Sequence, residues 1–235
     1  MTDVVEFRNR LTTIWKDANS QVETNAVVES TAKGVIIKNH NITVDEHLIP
    51  CRTYVPEIES ELGETPGETF PLLFWLYGGG SLDDNDGMLR SIAVDLRITC
   101  VSVDYRKAPE NPFPAAINDA YAGLKWVLSN AEGISVDILK GILVGGFSAG
   151  GNLTAVITSH NAYPDEYGDN CGMVDAYLGG NPENGYNPEF SPLLSSFEGL
   201  PAAYIQNAGG DPLRDEGFLY GKLLKQAGVT TKVDV

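Results

Sequence analysis

A single serine flanked by glycines is the side chain in this sequence best suited to chemistry. Ser148 lies in the pentapeptide Gly146–Gly150 (GFSAG), after an apolar run, Ile142–Val144, that we interpret as a short buried strand of a parallel sheet. Small residues two positions before and after a serine let a strand turn sharply into a helix and expose the hydroxyl as a nucleophile. The helix N-terminus favours negative charge beside it. The alternative is an ordinary glycine-rich turn.

A run of three glycines, Gly78–Gly80, follows the apolar segment 70–77, which predicts a second buried strand. Glycine is needed where the backbone approaches another group closely. We interpret that group as a substrate carbonyl. The N–H groups of Gly78 and Gly79, with that of Ala149, would donate to its oxygen and form an oxyanion hole. The alternative is a flexible turn.

Strand-like and helix-like segments alternate along the rest of the chain. Apolar spacing predicts helices over residues 4–24, 88–96, 114–128 and 213–226, and strands over 27–40, 41–55, 98–105, 201–206 and 230–235. This order predicts one α/β domain, with a mostly parallel twisted sheet and helices on both faces.

Composition excludes several classes of function. The 235 residues carry a formal net charge of -16, which argues against nucleic acid and anionic membranes as partners. The three cysteines, Cys51, Cys100 and Cys171, form no CxxC pair, so we expect no metal site and a reducing compartment. The first residues lack the pattern of a signal peptide, and we expect a cytoplasmic protein.

Four segments resemble, in order, the motifs of one known family. They are Tyr77–Gly80 (similar to an HGGG motif), residues 104–116 (DYRKAPENPFPAA), residues 146–152 (GFSAGGN) and residues 209–217 (GGDPLRDEG). Together they resemble the hormone-sensitive-lipase-like esterases of the α/β-hydrolase fold, and the sequences of these segments look most like those of fungal members. The resemblance covers residues 70–235 as a catalytic core and leaves residues 1–25 as a cap-like helix.

The resemblance implies a carboxylic ester hydrolase that acts on short acyl esters through an acyl-enzyme and needs no cofactor. It assigns Ser148 as the nucleophile and Asp211, in the fourth segment, as the acid that orients a histidine. The chain departs from the pattern at Tyr77, in a short segment 81–85, and between His160 and Ser191, where it is much shorter than the family and predicts a reduced cap.

The largest departure concerns the catalytic histidine. In the family this residue follows the last strand, whereas the sequence ends at Val235 within that strand. Of the three histidines, His40 and His47 precede the sheet motifs, and a continuous helix would place His160 roughly 18 Å from Ser148. Two hypotheses stay open: an ester hydrolase, or a catalytically inactive relative that binds a small molecule, as the plant gibberellin receptors do within this family.

A shortened sheet also has a consequence for association. Loss of the last strand and helix would expose a sheet edge or an apolar face, so we expect a tendency to form a homodimer.

Overall fold

The computed structural model describes residues 34–57, 67–158, 177–209 and 214–235. The helix expected over residues 1–25, and the residues His160 and Asp211, lie outside these ranges.

Strands and helices alternate through most of the described chain. In order they are β1 (Val35–Val44), β2 (His47–Pro56), β3 (Leu72–Leu76), α1 (Asp86–Leu96), β4 (Thr99–Val103), α2 (Ala115–Ser129), β5 (Ile142–Gly146), α3 (Ala149–Thr158), β6 (Ala203–Gln206), α4 (Arg214–Gln226) and β7 (Thr231–Asp234). Short 3-10 helices occupy Leu82–Asn85, Glu132–Ile134, Ile138–Lys140, Pro182–Tyr186 and Pro192–Leu194. The strands and helices expected from residue 70 onward are therefore confirmed to within a few residues.

The main sheet is mixed, with the strand order β1-β2-β4-β3-β5. Strand β3 runs parallel to both β4 and β5, whereas β2 runs antiparallel to β1 and β4. Strands β6 and β7 pair in parallel as a separate two-stranded sheet. Because parallel strands end on the same edge, the segments that follow β3, β4 and β5 meet there.

The first two strands do not divide where the sequence predicted. Strand β1 continues to Val44, and the reversal occurs at Asp45 and Glu46, with φ of 46° and 68°. A two-residue hairpin loop needs this left-handed backbone because its twist then matches that of the strands. The loop contains neither glycine nor asparagine, so the usual sequence signal of such a turn is missing.

Helices cover both faces of the sheet, as expected. Alternate residues of β3 point to opposite faces: Leu73 packs in the cluster that contains Leu89 and Ala93 of α1. Phe74 packs in the larger cluster that also contains Ala120 of α2 and Leu153 of α3. The larger cluster, against which Val144 of β5 packs, fixes β3 and β5 relative to the helix that follows β5.

The strand that leads to Ser148 is less buried than the sequence predicted. In β5, the Ile142 side chain is 41% exposed and that of Leu143 is 60% exposed. One edge of β5 pairs with β3, and the other edge pairs with no described strand. The prediction of a buried strand was therefore wrong. An apolar run indicates a strand, but it does not indicate whether that strand lies at the centre or at the edge of the sheet.

A partly buried ionic cluster at the start of α1 should make stability depend on acid. The Asp86 carboxylate accepts hydrogen bonds from Tyr54 Oη at 2.8 Å, from Arg52 Nη1 at 3.0 Å and from Arg90 Nε. Burial raises the pKa of Asp86, but the hydrogen bonds from Arg90 and Tyr54 and the two guanidinium charges outweigh it and lower the pKa below its ordinary 3.8. A carboxylate with a lowered pKa stabilises the fold above its ordinary pKa, and this contribution is lost as the pH falls through the folded value.

We expect Asp86→Asn to cost about 1–2 kcal/mol at neutral pH and to flatten the loss of stability as the pH falls through the ordinary carboxyl pKa of 3.8 and below it. Urea unfolding at several pH values measures this. An acid dependence identical to wild type would contradict the role of Asp86.

Among the helices of the described ranges, none combines the length and the apolarity needed to cross a bilayer.

Candidate active site

Ser148 occupies a strained turn between β5 and α3. Its φ is 55°, in the left-handed region that residues with a side chain rarely adopt. The Ser148 carbonyl accepts hydrogen bonds from the N–H groups of Gly151 at 2.8 Å and Asn152 at 3.2 Å, so the strained residue is tied into the first turn of the helix. The side chain is exposed. This is the backbone of a nucleophile elbow, which presents a hydroxyl above the end of the sheet.

The two glycines of the pentapeptide are required by close backbone contacts. A Cβ atom at Gly146 would lie 2.7 Å from the carbonyl oxygen of Leu76 and closer still to that of Gly150. A Cβ atom at Gly150 would lie 2.5 Å from the carbonyl carbon of Leu76 and closer still to its oxygen. The elbow therefore packs directly on the end of β3 with no room for a side chain.

The glycine run lies beside the serine. A Cβ atom at Gly78 would be 3.5 Å from Ser148 Cβ and 3.4 Å from the Phe147 carbonyl oxygen. Gly79 follows in an exposed position, with no atom within 4 Å of where its Cβ would be. Ala149 is the first residue of α3. The structure thus brings Ser148, Ala149 and the start of the glycine run together, while Asp211 lies outside the described residues.

The two described histidines are far from Ser148. His40 lies in β1, where its Nε2 is 3.1 Å from Thr53 Oγ1, and burial followed by the charge of Lys38 lowers its pKa. His47 begins β2. The strand order puts β2 three strand spacings and β1 four from β5, roughly 14 Å and 19 Å. Neither histidine can reach the Ser148 hydroxyl.

Comparison with known proteins identifies the family. The family model Abhydrolase_3, described as alpha/beta hydrolase fold, matches residues 74–169 and 160–235. The chain belongs to this family. The relatives below are esterases, so the enzyme family expected from the sequence is confirmed.

Sequence relatives of this α/β hydrolase include two esterases of Mycobacterium tuberculosis. The chain is 32% identical to carboxylesterase NlhH over 224 residues, which take in 79% of the chain and 68% of the relative. It is 34% identical to esterase LipI over 206 alignment positions, which take in 69% of the chain and 62% of the relative. The chain therefore spans about two thirds of the length of these curated relatives.

A solved structure confirms the fold. An esterase from Pyrobaculum calidifontis superimposes with a TM-score of 0.75 at 29% identity, covering 100% of this chain and 83% of the esterase.

The NlhH alignment runs over 224 positions although it contains only 79% of the 235 residues here. NlhH therefore has internal residues with no counterpart in this α/β hydrolase.

Tyr105 is a residue of the site that sequence reasoning missed. Its hydroxyl donates one bifurcated hydrogen bond, whose proton is shared between the carbonyl oxygens of Tyr77 at 2.8 Å and Gly78 at 2.9 Å. Burial raises the pKa of Tyr105 far above the neutral range, so the hydroxyl stays protonated. The sequence places Tyr105 two residues beyond β4 and Tyr77 one residue beyond the neighbouring parallel strand β3, but it does not show that the two residues come into contact.

Tyr77, the residue that replaces histidine in the HGGG-like motif, belongs to the same cluster. It is 1% exposed, its ring stacks on that of Tyr105 with centroids 4.7 Å apart, and its hydroxyl donates to Asp104 Oδ1. Burial and the charge of Asp104 raise the pKa of Tyr77 well above 10, which keeps this hydroxyl a donor. Lys107 Nζ also binds Asp104 Oδ1, at 2.9 Å.

A buried ion pair anchors the segment that carries this cluster. Asp119 of α2 is fully buried, and its carboxylate accepts from the Arg106 main-chain N–H at 2.8 Å and from Nη2 at 2.7 Å. Charge-assisted bonds of this kind are strong and directional. They hold the chain after β4 against the helix on that face.

Aromatic rings lie against the first turn of α3. Phe113, Tyr177 and Phe190 contact one another, with centroid separations from 5.5 Å to 6.3 Å. The Phe190 carbonyl accepts from Asn152 Nδ2 at 3.1 Å, which ties this cluster to the helix that begins after Ser148.

Proposed function

We propose that this chain is a carboxylic ester hydrolase that uses Ser148 as its nucleophile and short-chain acyl esters as substrates. The observation that carries the proposal is the strained, exposed Ser148 directly beside Gly78. Membership of a family whose compared members are esterases supports the reaction class. The same relatives give no support to the alternative of an inactive binding protein.

The reaction follows from this geometry. Ser148 Oγ attacks the ester carbonyl carbon, and the carbonyl oxygen becomes an oxyanion that accepts hydrogen bonds from the main-chain N–H groups of Gly78, Gly79 and Ala149. Collapse of the tetrahedral intermediate breaks the bond between the carbonyl carbon and the alkoxy oxygen, which leaves as the alcohol with the proton taken from Ser148. Water then attacks the acyl group on Ser148, and the carboxylic acid and the free serine are released. The proposal assigns the proton acceptor to a group outside the described residues, and Asp211 to the orientation of that base.

The test is hydrolysis of p-nitrophenyl acetate and p-nitrophenyl butyrate by the 235-residue chain. We expect release of p-nitrophenol above the buffer rate, with mass spectrometry of a rapidly acidified reaction showing the acyl group on the peptide that contains Ser148. Saturable binding of these esters without turnover or acylation would instead favour the inactive, ligand-binding alternative.

We also propose that the edge of β5 that pairs with no described strand mediates a homodimer. The residues of β5, Ile142–Gly146, carry no charge, and uncharged strand edges readily pair with another chain. In an antiparallel pair about a two-fold axis at Val144, Leu143 of one copy faces Gly145 of the other, which leaves room for the larger side chain.

Size-exclusion chromatography at micromolar concentration tests this association. We expect a wild-type dimer and a monomeric Leu143→Lys variant, because lysine at a strand edge opposes pairing. The control is Leu48→Lys, which alters a side chain that is 68% exposed at the opposite side of the sheet and should leave the dimer intact. A monomeric wild type would contradict the proposal.

A further inference from the structure

We infer that Tyr105 is a positioning residue that fixes the two oxyanion donors of the glycine run. The inference rests on the proposed function, since it concerns the same site. Its basis is the bifurcated hydrogen bond that the Tyr105 hydroxyl donates to the carbonyl oxygens of Tyr77 and Gly78. Tyr105 acts through the main chain of the glycine run and does not contact the reacting atoms.

The two carbonyl groups belong to the two peptide units that supply the donors. The peptide unit with the Tyr77 carbonyl contains the Gly78 N–H, and the unit with the Gly78 carbonyl contains the Gly79 N–H. Because a trans peptide is planar, its N–H points opposite to its C=O. One hydroxyl that holds both carbonyl oxygens therefore sets the direction of both N–H groups.

This control matters because glycine has more backbone freedom than any other residue. An oxyanion hole lowers the barrier only if its donors are already aimed at the position that the oxyanion will occupy. The hydroxyl also polarises the two peptide units that it binds, which strengthens their N–H groups as donors. The glycines provide access for the substrate, and Tyr105 provides the rigidity that glycine lacks.

The tyrosine ring is itself held on several sides. It is 3% exposed and stacks on the Tyr77 ring at an interplanar angle of 17°. Lys107 Nζ binds both Asp104 Oδ1 and the Tyr105 carbonyl oxygen, the latter at 3.1 Å, and lies over both rings. Ring and hydroxyl therefore have one position relative to the glycine run.

The other end of the run is also fixed. The Ser81 main-chain N–H donates to Asp84 Oδ2 at 2.6 Å and its hydroxyl donates to Asp84 Oδ1 at 3.0 Å. The Gly80 N–H donates to the Gly78 carbonyl oxygen at 2.7 Å. The shortened segment 81–85, unusual for the family, therefore closes the run with a 3-10 turn.

The test compares Tyr105→Phe with wild type. This variant keeps the stacked ring and removes only the hydroxyl, so we expect kcat for p-nitrophenyl butyrate to fall about tenfold or more while KM stays within about twofold. The matched control is Tyr54→Phe, which removes a buried hydroxyl bonded to Asp86 on the opposite face of the sheet. It should leave both constants unchanged.

A second measurement does not depend on activity. Amide hydrogen exchange by NMR should show faster exchange or shifted resonances at Gly78 and Gly79 in Tyr105→Phe but not in Tyr54→Phe, with the core strands protected in both. A wild type without Ser148-dependent turnover would refute the proposed function, and the amide result would still decide the role of Tyr105. Unchanged glycine amides, or a uniform loss of protection across the sheet, would overturn the inference.

Discussion

Ser148→Ala is expected to reduce ester hydrolysis to the buffer rate while the protein stays folded. The serine side chain is exposed, and alanine meets the same backbone strain at φ 55°, so the change should alter the melting temperature little. In a complete serine hydrolase triad, loss of the nucleophile costs about four orders of magnitude or more in kcat. The size of the drop here therefore also measures how far a base assists Ser148.

The measurement is the initial rate with p-nitrophenyl butyrate for wild type, Ser148→Ala and the control Ser129→Ala. Ser129 is an exposed serine at the end of α2 and should behave as wild type. Turnover that persists in Ser148→Ala would remove the nucleophile assignment. Rates equal to the buffer rate in all three folded proteins would mean that this chain is no esterase. Binding of small molecules without turnover would then be the property to measure.

The local features of this site could be predicted from the sequence because they depend on neighbouring residues. A serine between Gly146 and Gly150 predicts a sharp turn, since steric clash around that turn is decided within a few residues and by the strand beside it. The glycine run after β3 was predictable for the same reason. Its position beside Ser148 followed from the expected parallel sheet, in which β3 and β5 end at the same edge.

The features that the sequence could not predict depend on distant contacts. The exposure of Leu143 depends on which strand lies next to β5, and the residues of β5 do not indicate which strand that is. The bifurcated hydrogen bond of Tyr105 requires a side chain from the end of β4 to reach main-chain atoms after β3. The turn at Asp45 and Glu46 lacked a glycine that would have marked it.

Gly150→Ala is expected to destabilise the protein by about 3 kcal/mol and to abolish turnover. In an unhindered helix, alanine is more favourable than glycine by about 1 kcal/mol, so helix propensity alone predicts that Gly150→Ala stabilises the protein. Here the added methyl group would overlap the Leu76 carbonyl group. This carbonyl belongs to the main chain, so it cannot move aside as the end of a flexible side chain would. Helix α3 must therefore move away from β3, at the cost typical of an overpacked contact.

The same displacement explains why activity should be lost together with stability. Ser148 directly precedes the helix that would move, whereas Gly78 stays attached to β3, so the nucleophile separates from the oxyanion donors of the glycine run. The matched control is Gly151→Ala, one position further along α3, where a Cβ atom meets its nearest neighbour, the Gly146 carbonyl oxygen, at 3.4 Å. Urea unfolding should show Gly151→Ala as neutral or slightly stabilised. Equal stability of the two variants would contradict a tight contact between the elbow and the end of β3.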